Sequence, residues 1–167
     1  MHPDVIIIGG GVIGTACAYF LADKGAKVTV LERSHLGAGA SGTTAAIIGI
    51  SGSGGTPEPL RPLNIEGYHL IKEISQQFDR SLEIIHGGTL YVAMNDQEAL
   101  EVRPFYDEIR QMGIDCKLLD PAATLEFEPL LCPDVRAAMY NPASYHVNPF
   151  RLVQGYLGVA MRQGARV

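Results

Sequence analysis

The stretch DVIIIGGGVIGTACAYFLADKGAKVTVLE, residues 4–32, determines the fold class that we expect for this chain. Residues 5–8 are a β-branched run of the kind that is buried in a parallel sheet. Gly9, Gly11 and Gly14 follow at G-x-G-x-x-G spacing. In this pattern the first glycine permits a tight turn, the second lets backbone approach a pyrophosphate, and the third brings a helix close to the strand. The stretch therefore predicts strand, turn, helix and second strand in an α/β fold.

The helix predicted after the turn has one apolar face. Its apolar positions at helical spacing are Ile13, Ala16, Cys17, Phe20 and Leu21. We expect this face to pack on the sheet, with Cys17 as an inert core thiol. The second strand, residues 27–31, is closed by Glu32, 18 positions after Gly14. A carboxylate at this point can accept both hydroxyls of an adenosine ribose.

A dinucleotide site is the function that this unit predicts. A diphosphate over the first turn of the helix meets free N–H groups and the positive end of the helix dipole. The alternative is a glycine-rich turn in an ordinary α/β sheet. That alternative does not explain why both the glycine spacing and the terminal acid match.

Composition limits the range of functions. The chain has 167 residues, which favours one domain or one and a part, and 47% of them are hydrophobic. A formal charge of −5 and a pI near 5.5 argue against a nucleic-acid-binding or anionic-membrane surface. Three cysteines without metal-ligand spacing indicate neither a disulfide framework nor a zinc site, and we predict no metal.

Residues 5–22 carry no charge, so a membrane span or a signal peptide has to be considered. Residues 1–4 lack a basic region, and three consecutive glycines interrupt the apolar run. We therefore expect no membrane span and a cytoplasmic location.

The segment after Glu32 is rich in small residues. Residues 34–59 are rich in Gly, Ser, Thr and Ala, and their apolar residues do not recur at the spacing of an amphipathic helix or strand. Small side chains permit close approach of a flat group or a phosphate, and Ser41, Thr43 and Thr44 supply donors. A flexible linker is the alternative for residues 34–50, and a linker or mobile loop is the favoured interpretation for residues 52–59.

The rest of the chain alternates helical and strand patterns. We expect a helix over 63–78, strands on either side of 86–88, a strand over 115–119, a helix over 121–128 and a strand over 136–140. A further helix is capped by Asn95 or Asp96 and kinks or restarts at Pro104. The last helix has Asn148 as its N-cap and ends at Gly164. The sequence GARV at residues 164–167 repeats the pattern of GAKV at residues 25–28, where a helix leads into a parallel strand. We therefore expect the N-terminal portion of a longer protein.

Four stretches resemble the FAD-dependent D-amino-acid oxidase superfamily, which includes glycine oxidase, sarcosine oxidase, D-amino-acid dehydrogenase and dye-linked L-proline dehydrogenase. They are DVIIIGGGVIG (4–14), VTVLERSHLGAGASGTTAAIIG (28–49), HGGTLYVAMNDQE (86–98) and SYHVNPFRLVQGYLGVAMRQGARV (144–167). The second and fourth together are more specific than the first. The resemblance implies a Rossmann-like FAD-binding domain with a parallel sheet and part of an α+β substrate domain with antiparallel or mixed strands.

The resemblance also implies domain boundaries. Residues 1–80 would be the first part of the FAD-binding domain, 81–146 a segment of the substrate domain, and 147–167 the return to the FAD-binding domain. Chains of this family are more than twice this long. The remainder of the chain, or a complementary subunit, would then be needed to complete the site.

The resemblance further implies which residues contact FAD. The glycine turn would line the diphosphate, Glu32 would bind the ribose, and Arg33 would lie beside the adenine. The small-residue segment would follow the diphosphate, ribityl chain and isoalloxazine. The implied residues are Gly9, Gly11, Val12, Ile13, Gly14, Glu32, Arg33, Ser41, Gly42, Thr43, Thr44, Ala45, Ala46, Ile47 and Ile48. Ala45 or Ala46 stands where relatives with a histidine-linked flavin carry His, so we predict non-covalent FAD.

The function that follows is FAD-dependent oxidation of a small amine or amino acid, with hydride transfer to flavin N5 and hydrolysis of the imine. No residue of this chain is indicated as catalytic. One alternative is a nicotinamide-dependent Rossmann dehydrogenase, which Glu32 permits but the segment after Arg33 disfavours. The other is a non-catalytic nucleotide-binding fragment or subunit that needs a partner.

Overall fold

The computed structural model describes residues 2–50 and 58–167 and shows a mixed α/β fold, as predicted. Most of the linker predicted over 52–59 lies outside the described residues. The elements are β1 (Val5–Ile8), α1 (Val12–Asp23), β2 (Val28–Leu31), β3 (Ile47–Gly49), α2 (Arg61–Ile74), β4 (Thr89–Ala93), α3 (Asp96–Gln111), β5 (Lys117–Leu119), α4 (Pro121–Phe127), β6 (Ala137–Asn141), β7 (Ser144–His146) and α5 (Pro149–Arg162). Short 3₁₀ turns span Ala40–Gly42, Glu58–Leu60 and Ser75–Gln77.

The chain forms two compact units. The first comprises residues 1–48, 66–85 and 146–167, and the second comprises residues 49–65 and 86–145. The assignment of residues 1–80, 81–146 and 147–167 to functional domains stays a prediction.

A parallel sheet lies at the centre of the first unit. β1 pairs in parallel with β2, with Val5 opposite Val28 and Ile8 opposite Leu31. Arg166 then forms a parallel bridge beside β2: its N–H donates to the Val28 carbonyl at 3.0 Å, and its carbonyl accepts from Val30 N–H at 2.8 Å. The predicted passage from a helix into a parallel strand after Gly164 is therefore confirmed.

Helices α1 and α5 cover one face of this sheet. The shared core consists of Ala18, Ala22, Val28, Val30, Leu157, Ala160 and Ala165. Alanines at the helix contact let the two backbones approach each other and the sheet closely. The ring of Tyr19 packs edge-on against Tyr156 at a centroid distance of 5.6 Å.

The predicted buried face of α1 is wrong for Ile13, Cys17 and Phe20, whereas the predicted Leu21 does pack against the core, partly buried. The buried residues are Thr15, Ala18, Tyr19 and Ala22. Ile13 is 78% exposed, Phe20 is 40% exposed, and Cys17 is exposed and is not a core thiol. The cause is that α1 is apolar on nearly every side, so hydrophobic spacing could not orient it. The close contact with α5 selected the small residues instead.

The second unit contains an antiparallel sheet of order β4-β6-β5. Leu90 and Leu118 lie opposite Tyr140 and Met139 of the central strand β6. Helix α3 packs on this sheet and begins at the predicted cap, since Asn95 Oδ1 accepts from Glu98 N–H at 2.9 Å. It runs through Pro104 as one helix. The strand predicted before residues 86–88 is reduced to a single antiparallel bridge between Ile85 and His146, in the first unit.

No helix within residues 2–50 and 58–167 has the length and apolar character needed to cross a membrane.

Candidate dinucleotide-binding site

The turn between β1 and α1 has the geometry that its glycines predict. Gly9 has φ of +111°, a conformation that suits glycine, and its N–H donates to the Leu31 carbonyl at 2.8 Å. A β-carbon on Gly14 would overlap the carbonyl oxygen of Gly9 and lie 3.3 Å from Cγ2 of Ile7. Only glycine at this position lets α1 lie so close to the strand and the turn.

The first turn of α1 is suited to an anion. Gly11, the N-cap, makes no side-chain cap bond, and the first turn carries no acidic residue. The leading N–H groups of a helix have no intrahelical acceptor and lie at the positive end of its dipole. One of these N–H groups, that of Val12, donates to the hydroxyl oxygen of Ser41 at 3.0 Å.

Glu32 is fixed beside the glycine turn. Its Oε2 accepts from Gly10 N–H at 2.7 Å and its Oε1 accepts from Ser34 N–H at 2.8 Å. These backbone donors, Gly10 first, lower the pKa of Glu32 below its ordinary value, so the side chain is an anion at neutral pH. Each carboxylate oxygen keeps lone pairs that can accept a further hydroxyl donor.

Two open grooves meet at Ile8 and Gly9. The first has a volume of about 540 Å³ and is lined by Ile7, Ile8, Gly9, Gly11, Val12, Ile13, Gly14, Cys17, Ala40, Ser41 and Thr44. The second has a volume of about 530 Å³ and is lined by Ile8, Gly9, Val30, Leu31, Glu32, Arg33 and Val167. One groove thus follows the helix start, where phosphates bind, and the other ends at the carboxylate of Glu32. This arrangement suits the two halves of a dinucleotide.

The grooves bring together nine of the predicted site residues, and six others line neither groove. The six are Gly42, Thr43, Ala45, Ala46, Ile47 and Ile48. Thr43 and Ala45 are exposed, and Ala46 has φ of +54° while its carbonyl accepts from Val147 N–H at 3.1 Å. Contacts of these six residues with a flavin stay a prediction.

Sequence reasoning missed several residues around the grooves. Ile8 is 88% exposed and Leu31 is 51% exposed, so both offer apolar surface at the second groove. Gly37 has φ of +75° and donates from its N–H to the Gly10 carbonyl at 2.9 Å, which ties the small-residue segment to the turn. The glycine spacing of residues 37–42 was a sequence signal for the backbone turn at Gly37. No sequence signal indicated that the side chains of Ile8 and Leu31 are exposed.

Comparison with known proteins gives the family. A sequence profile described as "FAD dependent oxidoreductase" matches residues 4–167. The chain belongs to the FAD-dependent oxidoreductase family. The predicted family and its cofactor are therefore confirmed, and the match favours FAD over the nicotinamide alternative.

Two members of the FAD-dependent oxidoreductase family illustrate the likeness. Glycine oxidase from Geobacillus kaustophilus is 30% identical over 97% of this chain and 44% of its own length. Its crystal structure matches with a TM-score of 0.88 and 29% identity, over 99% of this chain and 46% of that chain. L-α-glycerophosphate oxidase from Mycoplasma pneumoniae, solved with FAD bound, matches with a TM-score of 0.86 and 27% identity, over 99% and 44%. This chain spans less than half the length of these relatives.

Proposed function

We propose that this chain supplies the FAD-binding half-site of an oxidoreductase that acts on a small amine or amino acid. The observation that carries the proposal is the pair of grooves that joins the start of α1 to a carboxylate held by the turn itself. The glycine oxidase likeness supports a CH–NH substrate. The glycerophosphate oxidase likeness shows that the family also contains a protein named for a phosphorylated alcohol.

Each end of the cofactor has residues of matching chemistry. The free N–H groups of the first turn of α1 and the Ser41 hydroxyl would hold the diphosphate. The Glu32 carboxylate would accept the ribose hydroxyls, and the apolar surfaces of Ile8 and Leu31 would face the adenine, with Arg33 at the rim. The segment from Gly42 to Ile48 would continue toward the ribityl chain and isoalloxazine.

The chemistry that FAD supplies in such a site is acceptance of a hydride from the substrate carbon. For an amine, the carbon beside nitrogen loses the hydride, and water hydrolyses the resulting imine. We assign no catalytic residue to this chain. Non-covalent attachment of FAD and a cytoplasmic location remain predictions from the sequence.

Titration of the chain with FAD tests the cofactor site. We expect quenching of flavin fluorescence to saturate with FAD and not to be displaced by an equal concentration of NAD. Glu32→Gln removes the charge and leaves one acceptor oxygen for two backbone donors, so we expect binding weaker by about tenfold or more. Glu101→Gln, on the exposed side of α3, is the matched control and should bind as the parent chain does. Displacement of FAD by NAD, or equal effects of both variants, would contradict the assignment.

Anaerobic bleaching of the bound flavin tests the substrate class. Glycine and other small amines should bleach it, and glycerol 3-phosphate should not. Bleaching by glycerol 3-phosphate alone would replace the amine proposal with an alcohol substrate.

A second candidate is a nucleotide-binding subunit that has no activity of its own. The observation that favours it is the coverage of less than half the length of the relatives. FAD binding without bleaching by any substrate would support this candidate, and turnover by the chain alone would refute it.

A further inference from the structure

The ring of Phe150 lies against the loop of residues 37–42, which carries Ser41 to the start of α1. A β-carbon built on Gly42 would lie 2.9 Å from Cζ of Phe150, and one built on Gly37 would lie 3.4 Å from Cδ1 and Cε1 of the same ring. The ring therefore rests directly on the backbone of both glycines. The side-chain atoms nearest to both β-carbon positions belong to Phe150.

The loop has only two long-range hydrogen bonds to the glycine turn and α1 in the described part of the chain. Gly37 N–H donates to the Gly10 carbonyl at 2.9 Å, and Ser41 Oγ accepts from Val12 N–H at 3.0 Å. The bond between Gly42 N–H and the Gly39 carbonyl, at 3.1 Å, is internal to the loop. Two bonds tie the loop to the turn and α1, and the ring of Phe150 packs against the same loop at Gly37 and Gly42.

The start of α5, which carries Phe150, is anchored independently of the loop. Asn148 Oδ1 accepts from the N–H groups of Phe150 and Arg151 at 3.1 and 3.2 Å, and Asn148 N–H donates to the Leu82 carbonyl at 2.8 Å. Arg151 pairs with Glu83 at 2.8 Å. The ring therefore projects from a fixed base, while the loop has no regular structure beyond a single 3₁₀ turn.

We propose that Phe150 is a positioning residue for cofactor binding. Its ring holds the loop of residues 37–42 against α1, so that the Ser41 hydroxyl stays at the amide of Val12, where a phosphate would bind. The inference rests on the proposed function for its ligand, but the loop contact is a property of the chain without ligand. Phe150 remains 42% exposed, so its role is local rather than that of a central core residue.

The experiment compares Phe150→Ala with two other variants in the full 167-residue chain. Phe127→Ala is the matched control, because Phe127 is an aromatic residue with 50% exposure and contacts Tyr140 in the second unit. Phe150→Leu restores apolar volume without the ring. Amide hydrogen exchange is measured without ligand at Gly37, Val12 and Val30, and FAD affinity is measured by fluorescence titration.

We expect Phe150→Ala to speed exchange at Gly37 and Val12, to leave Val30 unchanged, and to weaken FAD binding by about tenfold. Phe127→Ala should leave all three amides and the affinity within about twofold, and Phe150→Leu should restore most of both. Unchanged exchange at Gly37 and Val12 would overturn the inference, and so would faster exchange with an affinity equal to that of Phe127→Ala. Failure of the parent chain to bind FAD would instead contradict the proposed function, and exchange alone would then decide whether Phe150 holds the loop.

Discussion

Glu32 connects the second strand to the turn that follows the first, and its negative charge strengthens that connection. The N–H groups of Gly10 and Ser34 both point at the carboxylate, which protonation weakens as an acceptor. The same anion that would bind a ribose therefore also closes the turn. Stability and cofactor affinity should respond together to a change at this side chain.

The pH dependence of stability follows from the lowered pKa of Glu32. A depressed folded-state pKa contributes stability that is fully present above the ordinary value of 4.5 and is lost as the pH falls through the folded-state value. The parent chain should therefore exceed Glu32→Gln in free energy of unfolding by a constant amount at neutral pH. This difference should shrink as the pH falls below 4.5 and through the lower folded-state pKa of Glu32. Urea denaturation at stepped pH measures it. A difference that does not change with pH would show that the charge plays no part.

Gly14→Ala should destabilise the chain. The new methyl group would overlap the Gly9 carbonyl, and the clash is with backbone, so a rotamer change cannot relieve it. We expect a loss of about 1–3 kcal/mol in the free energy of unfolding. Gly39→Ala is the control, since a β-carbon there meets nothing within 4 Å and the residue has a negative φ. Equal denaturation midpoints for the two variants would contradict the close approach of α1 to the turn.

Among the elements, α5 contains two glycines that play opposite roles. A β-carbon on Gly155 would overlap the ring of Phe78, whose edge also packs on Tyr156. A β-carbon on Gly158 would make ordinary contacts, 3.6 Å to Oδ2 of Asp79 and 3.9 Å to Arg162. Gly155 is thus required by packing, and Gly158 is not.

We expect Gly155→Ala to lower the free energy of unfolding by about 1–3 kcal/mol, despite the better helix propensity of alanine. Gly158→Ala should raise it by about 0.5–1 kcal/mol, because alanine loses less backbone entropy in a helix. Urea denaturation of both variants gives the comparison. A gain in stability for Gly155→Ala as large as that for Gly158→Ala would show that Phe78 does not rest on α5.

Local sequence signals predicted element ends better than element faces. The caps Asn95 and Asn148 were predictable because each bonds to a backbone N–H within three residues. The buried face of α1 was not predictable, because Ile13, Cys17 and Phe20 are as apolar as the alanines that pack on α5. Which apolar side is covered depends on a helix more than a hundred residues later in the chain.

Across the whole molecule, the site combines residues that no local pattern connects. The glycine turn and Glu32 follow from one motif, and the structure places them together through the bond to Gly10. The contact between Phe150 and the loop at Gly42 joins segments far apart in sequence, so spacing could not reveal it. The sequence therefore predicted the residues that would bind the cofactor more fully than the distant contacts that hold those residues in place.

The three cysteines give a test that covers both units. Cys17 is exposed and lines the groove at the start of α1, Cys132 is exposed elsewhere, and Cys116 is buried, which raises the pKa of its thiol. Alkylation followed by mass spectrometry should therefore label Cys17 and Cys132 faster than Cys116. Added FAD should slow labelling of Cys17 alone, with Cys132 as the internal control. Equal protection of both exposed thiols would argue against cofactor in the groove.

The bridge between Thr29 and Arg166 has a consequence for synthesis on the ribosome. β2 acquires this neighbour, and α1 its covering helix α5, only after the entire second unit has been translated. Until then α1 lacks its native contact with α5, and nascent chains at this stage should recruit chaperones that recognise uncovered apolar segments. The late return of the chain makes the first unit to be translated the last to be completed.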